Sequence, residues 1–313
     1  MAALAPPRDA ERTPYTRDDA SAARRIVATV GYDGTDFEGW QTQPNGRTVQ
    51  DTLEARLKSL LKVQTAIAGS GRTDSGVHAR AQTFHFDLPD GPLKALRLDA
   101  DATAAAAAAA LERYLCGLPK NCALPPSVQL TSMRAAPPGF HARSSCTSKR
   151  YVYSVCEGLG TPAASRYAWA LGRSKTLDVE RMRAAAEALV GQHDFSTYGL
   201  REAGDPRDPV KTMRSLEVHR WPPPPEGFPL AAGDGRVTIT AHCDRYLRHM
   251  MRLVAGTLVM VGLGKLAPED VGDLLAARAR PATGPAPFMA PACGLCLERC
   301  FYGDEGFVAG TRA

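Results

Sequence analysis

One segment of the chain brings together residue types that could do chemistry, and it reads Gly69-Ser-Gly-Arg-Thr-Asp-Ser-Gly-Val-His-Ala79. Its glycines permit positive φ and allow a ligand to approach the backbone closely. Asp74, at the centre, can act as a nucleophile, or it can hydrogen-bond its own loop as a turn residue. Arg72 can bind a phosphate or a carboxylate. The loop by itself leaves both roles of Asp74 open, and the turn residue is the more common one.

Basic residues are concentrated in two stretches that contain no acidic residue. The formal net charge of the chain is +5, and the stretches run from Arg113 to Cys156 and from Arg245 to Lys265. Two such stretches could flank a polyanion, because the neutralisation of phosphates supplies much of the affinity for nucleic acids. A solvated protein surface can show the same pattern. Charge therefore permits a nucleic-acid partner but does not establish one.

The elements that must position these residues follow from the spacing of apolar side chains. Thr48 and Asp51 have capping-box spacing and predict the start of a helix. Residues 82–88 alternate between apolar and polar, which predicts a strand with one buried face. The first half is predicted to contain, in order, a strand at 25–32, a helix from 48, strands at 66–70 and 82–88, a helix at 102–115 and a strand at 128–133.

The second half repeats this βαββαβ order. Its predicted elements are a strand at 151–155, a helix at 179–189, strands at 216–218 and 237–243, helices at 246–262 and 268–278, and a strand at 295–301. Two ferredoxin-like halves, each an antiparallel sheet backed by helices, are the simplest α+β architecture with this order. We expect halves at 25–145 and 146–303, on either side of a central cleft. Residues 1–24 are expected to be a disordered tail and 304–313 a second tail.

Five segments resemble the motifs of the tRNA pseudouridine synthase A family, and they occur in the order typical of that family. The resemblance as a whole covers most of the chain, from about residue 25 to residue 301. The segments are Gly31-Tyr-Asp-Gly-Thr-Asp-Phe-Glu-Gly-Trp-Gln41, Gly71-Arg-Thr-Asp-Ser-Gly-Val-His-Ala79, Phe140-His-Ala-Arg143, Lys149-Arg-Tyr-Val-Tyr153 and His249-Met-Met-Arg252.

The resemblance implies a specific reaction. A uridine in the anticodon stem-loop of a tRNA, at positions 38, 39 or 40, is detached from its sugar, turned and rejoined through carbon 5. The resemblance further implies a homodimer, no metal and no cofactor, and it places Asp74 at the essential aspartate. The carboxylate attacks the base or the sugar, or acts through a glycal, and the sequence does not choose among these routes. Each route needs an ionised carboxylate.

The same match assigns the remaining site residues. Arg252 pairs with Asp74, and a guanidinium favours the charged form of a carboxylate in a partly dry pocket. Tyr151 stacks on the target base, with Tyr153 as the alternative. Arg72 assists extrusion of the base from the stem, or else binds phosphate. The candidates for contact with the RNA backbone are Arg143, Lys149, Arg150 and Arg248.

The cysteines bear on metal binding and on location. Cys293, Cys296 and Cys300 form only half of a zinc pattern, and Cys296 and Cys300 are predicted on one face of a strand, so no metal is expected. Eight cysteines without a secretory signal favour reduced thiols. We therefore expect a cytoplasmic protein, with an organelle matrix or the nucleus as alternatives. The longest apolar run, 253–263, is about half of what a bilayer requires, so no membrane span is expected.

Two other classes of function fit parts of the sequence. One is a catalytically silent RNA-binding or RNA-assembly factor of the same fold, which is disfavoured because Asp74, Tyr151 and Arg252 are all present. The other is an RNA N-glycosylase, which would release free base instead of returning it to the same chain. The fate of the base separates these classes.

Overall fold

The computed structural model describes residues 24–44, 46–88, 91–99, 101–116, 124–158, 160–172, 175–200, 208–222, 235–279, 281 and 283–303. The predicted tails, apart from Arg24, lie outside these residues. So does the proline-rich stretch at 223–234. In the described part of the first half, the strands are β1 (Arg25–Tyr32), β2 (Ala68–Gly69), β3 (His78–Asp87) and β4 (Val128–Ala135), and the helices are α1 (Val49–Leu61) and α2 (Ala104–Cys116).

The second half adds strands β5 (Ser148–Glu157), β6 (Trp169–Ala170), β7 (Gly191–Asp194), β8 (Val210–Trp221), β9 (Gly235–Cys243) and β10 (Leu295–Phe301). Its helices are α3 (Pro162–Ser165), α4 (Val179–Glu187), α5 (Met250–Gly262) and α6 (Pro268–Ala276). In the described part of the chain, no helix is both long enough and apolar enough to cross a membrane.

Local sequence explains where α1 begins and which face it buries. The Thr48 hydroxyl oxygen accepts a hydrogen bond from the Asp51 backbone N–H at 3.1 Å, which satisfies one of the donors that a helix start leaves open. Leu53, Leu57 and Leu61 then recur at intervals of four residues and are buried in the core. The predicted helix start is therefore confirmed.

The strands form one continuous sheet with the same internal order in each half. In the first half β4, β1 and β3 are neighbours and β2 pairs with β3; in the second half the order is β10, β5, β9, β8, with β7 beyond. Helix α2 packs on β4, α4 packs on β8, and α5 packs on β5. The predicted α+β class is confirmed, and each half has the strand order that ferredoxin-like connections give.

The two halves join where β10 pairs in parallel with the start of β3. Cys296 lies opposite His78 and Leu297 opposite Ala79, while the other edge of β10 pairs with β5. Strand β3 begins directly after the Asp74 loop. This junction therefore brings β5 and the residues that follow β9 close to that loop.

Residues 82–86 of β3 are buried on both faces, so the prediction of one buried face was wrong. Thr83 and His85 are as completely buried as Phe84. The polar face is covered by the segment that follows β4, where the His85 ring lies 4.6 Å from the His141 ring between centroids. The backbone N–H of Ala142 donates to His85 Nδ1 at 3.1 Å. Burial lowers the pKa of His85 to about 3, so this histidine is a neutral core residue.

Two further predictions of local structure were wrong. Helix α5 begins at Met250, not near residue 246, because His249 has a left-handed backbone with φ of 60°. Cys296 and Cys300 do not share a face of β10, because a bulge between Leu297 and Arg299 inserts one residue. Among the described residues, no three His, Cys, Asp or Glu side chains are grouped so that they could hold a metal ion.

Candidate active site

The Asp74 loop connects β2 to β3 and rests on the first motif of the chain. The backbone N–H of Trp40 donates to the Thr73 carbonyl at 3.1 Å, and that of Gly76 donates to the Phe37 carbonyl at 3.2 Å. A Cβ atom at Gly39 would lie only 2.6 Å from the Thr73 oxygen, so a side chain there would displace the loop. The motif from Gly31 to Gln41 thus holds the backbone of the Asp74 loop through hydrogen bonds and close packing.

Buried polar side chains hold the beginning of the same loop. The Lys149 ammonium donates to the Ser70 carbonyl at 3.0 Å, and the Gln82 amide donates to the Gly71 carbonyl at 2.9 Å. Only 8% of Lys149 is exposed. Lys149, predicted to contact the RNA backbone, therefore lies on the inner wall of the cleft and anchors the Asp74 loop.

Two basic side chains from the start of α5 face the two oxygens of the Asp74 carboxylate. Arg252 Nη1 lies 3.9 Å from Asp74 Oδ2, and His249 Nε2 lies 3.4 Å from Asp74 Oδ1. The Asp74 side chain is 31% exposed, about twice as much as either partner. The carboxylate therefore faces open space between two less exposed cationic or polar groups.

Arg252 is held in place by the segment that follows α6. Its Nε donates to the Ala290 carbonyl at 2.8 Å, and the Ala290 N–H donates to the Arg252 carbonyl at 3.1 Å. Helix α5 can approach this segment because position 256 is glycine, where a Cβ would lie 2.0 Å from the Phe288 oxygen. The guanidinium is thus fixed by its Nε, which leaves Nη1 directed at Asp74.

Tyr151 lines the cleft beside Asp74, and Tyr246 fixes its ring. The two rings meet edge to face, with centroids 4.9 Å apart and an interplanar angle of 75°. The Tyr246 hydroxyl donates to the Ala241 carbonyl at 2.9 Å. Burial raises the pKa of Tyr151 well above its ordinary value, so its hydroxyl stays protonated at neutral pH. Tyr153, the alternative, is fully buried and donates to the Pro291 carbonyl at 2.8 Å, so it is a core residue.

Asp74, Tyr151, Tyr246, His249 and Arg252 line one cleft of about 1310 Å³. Its volume is large enough for an extruded nucleotide with part of its backbone, because ordinary small-molecule sites occupy about 300–1,000 Å³. The cleft is lined by seven of the eight residues singled out in the sequence, which are Arg72, Asp74, Arg143, Lys149, Tyr151, Arg248 and Arg252.

Arg150 is the predicted site residue that the structure does not bring to the cleft. Successive side chains of a strand point to opposite faces, so Arg150 points away from the side shared by Lys149 and Tyr151. It lies 3.6 Å from the Glu298 carboxylate, and its guanidinium lies over the Phe301 ring. Its side chain is 41% exposed on that opposite face.

The cleft residues that the sequence predictions missed include four with polar or ionisable side chains near the predicted site: Lys211, Arg245, Tyr246 and His249. His249 opens the matched segment His249-Met-Met-Arg252, so its position beside Arg252 could have marked it. Arg245 belongs to the second basic stretch. No local pattern distinguishes Tyr246 or Lys211, whose roles depend on the packing of β5, β8 and β9.

A polar network behind the loop ties the two halves together at Asp33. Its Oδ2 accepts hydrogen bonds from Arg166 Nε at 2.6 Å and from the Tyr167 hydroxyl at 2.9 Å. His78, at the start of β3, accepts from the Gly34 N–H through Nδ1, and its Nε2 lies 3.1 Å from the Cys293 carbonyl. Burial opposes ionisation of Asp33, but hydrogen bonds from Thr35, Arg166 and Tyr167 outweigh it and lower its pKa below the ordinary value.

Replacement of Asp33 by asparagine is expected to lower the free energy of unfolding by about 1–3 kcal/mol near neutral pH, because charge-assisted hydrogen bonds are lost. The folded-state pKa of Asp33 is lowered, so its contribution is complete above the unfolded value of about 3.9 and disappears as the pH falls through the folded value. Urea unfolding of both proteins should therefore differ near neutral pH and converge in acid.

Asp36→Asn is the matched control for this comparison. Asp36 also lies near Arg166, at 3.2 Å, but its side chain is 60% exposed, so little loss of stability is expected. Equal stability of the wild type and Asp33→Asn at neutral pH would contradict the structural role of the network, as would a deficit that grows in acid.

Comparison with known proteins was made for both sequence and structure. The family model described as tRNA pseudouridine synthase matches residues 28–106 and 185–303. The tRNA pseudouridine synthase A of Solidesulfovibrio magneticus is 38% identical over 295 residues, which cover 91% of this chain and 93% of that protein. The tRNA pseudouridine synthase A of Geotalea uraniireducens is 35% identical over 281 residues, which cover 89% of this chain and 100% of that protein.

Among solved structures, a chain of an H/ACA RNP bound to a substrate RNA containing 2'-deoxyuridine aligns with 79% of this chain and 52% of its own length. Its TM-score is 0.22 and its sequence identity 10%, so the likeness is too slight to indicate a shared arrangement.

Proposed function

This chain belongs to the tRNA pseudouridine synthase family, and we propose that it isomerises uridine at one or more of positions 38, 39 and 40 of the tRNA anticodon stem-loop, with Asp74 as the nucleophile. Family membership makes it a pseudouridine synthase that acts on tRNA. The observation that carries the finer proposal is that Asp74, Tyr151 and Arg252, from three separate parts of the chain, line one cleft.

The chemistry breaks the bond between the ribose and nitrogen 1 of the uracil and forms a bond from the same ribose carbon to carbon 5. The proton on carbon 5 is lost and nitrogen 1 gains one, so the reaction consumes no other reagent. Asp74 can bond covalently to the ribose or the base, or can accept a proton on the route through a glycal. Arg252 places a positive charge 3.9 Å from the carboxylate oxygen Oδ2.

Tyr151 is suited to hold the uracil while it turns. Its ring lies on the wall of the cleft, and the edge contact with Tyr246 restricts its orientation, so a base can stack on it. Burial raises the pKa of Tyr151, so any role in removing the proton from carbon 5 requires the hydroxyl to pass its own proton to another acceptor.

Basic side chains at the mouth of the cleft support the proposed docking of tRNA. Arg72, Arg143 and Arg248 are the proposed contacts to the RNA backbone, and Lys211 and Arg245 line the same cleft. Likeness to the family supports further proposals: a homodimer, a cytoplasmic location with an organelle matrix or the nucleus as alternatives, and a division into halves at 25–145 and 146–303.

Charge reversal at Arg248 is expected to weaken tRNA binding, and to lower the slope of log affinity against log salt concentration by about one. The loss should therefore be greater at low than at high ionic strength. Binding of unmodified tRNA, measured by filter retention across a salt series, gives both quantities.

Arg150→Glu is the control, because Arg150 lies on the opposite face of β5 and pairs with Glu298. It should change affinity less than Arg248→Glu at each salt concentration. A salt-independent affinity for Arg248→Glu, or a larger effect at Arg150, would show that the RNA backbone lies elsewhere.

The decisive test of the proposed function is release of tritium from carbon 5 of uridine in unmodified tRNA, followed by mapping of the product positions. We expect tritium release, pseudouridine at one or more of positions 38, 39 and 40, and no free uracil. Release of free uracil would indicate an N-glycosylase. No turnover of correctly folded tRNA would indicate a silent RNA-binding factor, and product at other positions would refute the proposed target.

A further inference from the structure

His249 has a backbone conformation that costs energy and needs a reason. It lies at φ of 60° and ψ of 3°, directly before the first residue of α5. A residue other than glycine in this left-handed region costs on the order of 1–3 kcal/mol, and such residues occur most often at functional sites. The conformation belongs to the turn at 248–249, directly before α5, and it places His249 three residues before Arg252, on the side that faces the Asp74 loop.

The imidazole ring has one nitrogen near the carboxylate and the other in the protein interior. Nε2 lies 3.4 Å from Asp74 Oδ1, and the side chain is only 16% exposed. Nδ1 is buried and has no hydrogen-bond partner among the described residues. A carboxylate can only accept hydrogen bonds, so the neutral tautomer that carries its proton on Nε2 suits both surroundings.

The charge state of the ring agrees with this tautomer. Burial lowers the pKa of His249 below its ordinary value, the Asp74 carboxylate opposes this shift, and Arg252 and Arg248 add to it. A neutral imidazole can direct an N–H at the Asp74 carboxylate without cancelling the negative charge of that carboxylate. Arg252 supplies the positive charge from the other side, at Oδ2.

We propose that His249 is a positioning residue that sets the orientation of the Asp74 carboxylate through Oδ1. The terminal torsion of an aspartate has a broad energy profile, so the plane of its oxygens is set by contacts and not by rotamer preference. His249 Nε2 at 3.4 Å from Oδ1 and Arg252 Nη1 at 3.9 Å from Oδ2 stand on the two sides of the carboxylate and restrict the rotation of its plane. The proposal rests on the role of Asp74 as nucleophile.

Two substitutions separate positioning from backbone geometry. His249→Gln keeps an N–H donor at about the place of Nε2 but tolerates the left-handed conformation poorly. His249→Asn tolerates that conformation well, as asparagine generally does, but its amide is too short to reach Asp74. If His249 orients the carboxylate, the His249→Gln variant will have the higher rate of tritium release. If His249 only shapes the turn, the His249→Asn variant will have the higher rate.

Single-turnover rates of tritium release from tRNA, together with tRNA affinity and Tm, measure the outcome. We expect His249→Asn to lower the rate about 10- to 100-fold, as a small misplacement of a reacting group does. Its tRNA affinity should stay within about twofold of the wild type, because a group that acts only on the reacting geometry leaves ground-state binding unchanged. His249→Gln should recover most of the rate even if its Tm is lower.

Three results would overturn the inference: a wild-type rate in both variants, an equal loss in both, or a higher rate in His249→Asn than in His249→Gln. Asp74→Asn is assayed in parallel, so that a failure of the positioning role of His249 can be distinguished from a failure of the proposed role of Asp74. Full activity of Asp74→Asn would refute Asp74 as the nucleophile, whereas an inactive Asp74→Asn with an unaffected His249→Asn would refute only the positioning role.

Discussion

Replacement of Asp74 by asparagine is expected to lower the rate of tritium release from tRNA by at least about 10⁴-fold, the size of loss seen when a nucleophile is removed. The amide has nearly the same shape as the carboxylate but carries no negative charge and is a very weak nucleophile. The backbone hydrogen bonds of the loop, from Trp40 to Thr73 and from Gly76 to Phe37, do not involve the Asp74 side chain. The variant should therefore fold and bind tRNA.

The matched control is Asp208→Asn, which removes an exposed carboxylate from the rim of the same cleft. Its catalytic rate is expected to stay near that of the wild type, while loss of a negative charge near RNA should leave its affinity equal or slightly higher. Substantial turnover by Asp74→Asn would refute the nucleophile assignment. An equal loss in both variants would indicate that total charge in the cleft matters, and not one carboxylate.

Replacement of Arg252 is expected to have the second largest effect. Arg252→Met should lower the catalytic rate by about 10²–10³-fold, which is typical for loss of one preorganised electrostatic contact. The guanidinium is fixed through Nε at the Ala290 carbonyl while Nη1 faces Asp74, so its position and its charge both contribute. Single-turnover tritium release and tRNA affinity, measured separately, check that the loss is in the chemical step.

Arg252→Lys separates charge from geometry. Lysine keeps the positive charge, but its single ammonium cannot reproduce the fixed fork that binds Ala290 and faces Asp74. We therefore expect a rate between those of Arg252→Met and the wild type. Arg80→Lys, at an exposed position of β3 outside the cleft, is the control and should keep the wild-type rate. A wild-type rate in Arg252→Met would exclude the proposed pairing.

The amino-acid sequence by itself determined the fold class and most of the longer secondary structure elements, whereas the short α3, β6 and β7 were not predicted. Caps and periodicities are local, so β1 could be predicted residue by residue, and the start of α1 followed from Thr48 and Asp51. The motifs also determined the family, because a polar, glycine-rich loop between two strands recurs with its partner segments in a fixed order. Likeness to the family supplied Asp74, Tyr151 and Arg252 as site residues.

The sequence pattern could not give the properties that depend on distant parts of the chain. The burial of both faces of β3 depends on the segment around His141, and the bulge in β10 places Cys296 and Cys300 on opposite faces. The left-handed backbone at His249 separates residues 246–249 from α5, although the helix was predicted to begin at 246. In each case a contact outside the local pattern outweighs the local preference.

Tertiary structure also decided how the predicted site residues divide between roles. Lys149, Arg150 and Tyr151 are consecutive, yet strand alternation sends Arg150 to the opposite face, and burial makes Lys149 an anchor of the Asp74 loop. The parallel pairing of β3 with β10 joins the halves, so Arg252 and His249 from α5 reach the carboxylate. An isolated Asp74 loop fits a turn as well as a nucleophile, because the charge and the donor that orient its carboxylate come from the other half of the chain.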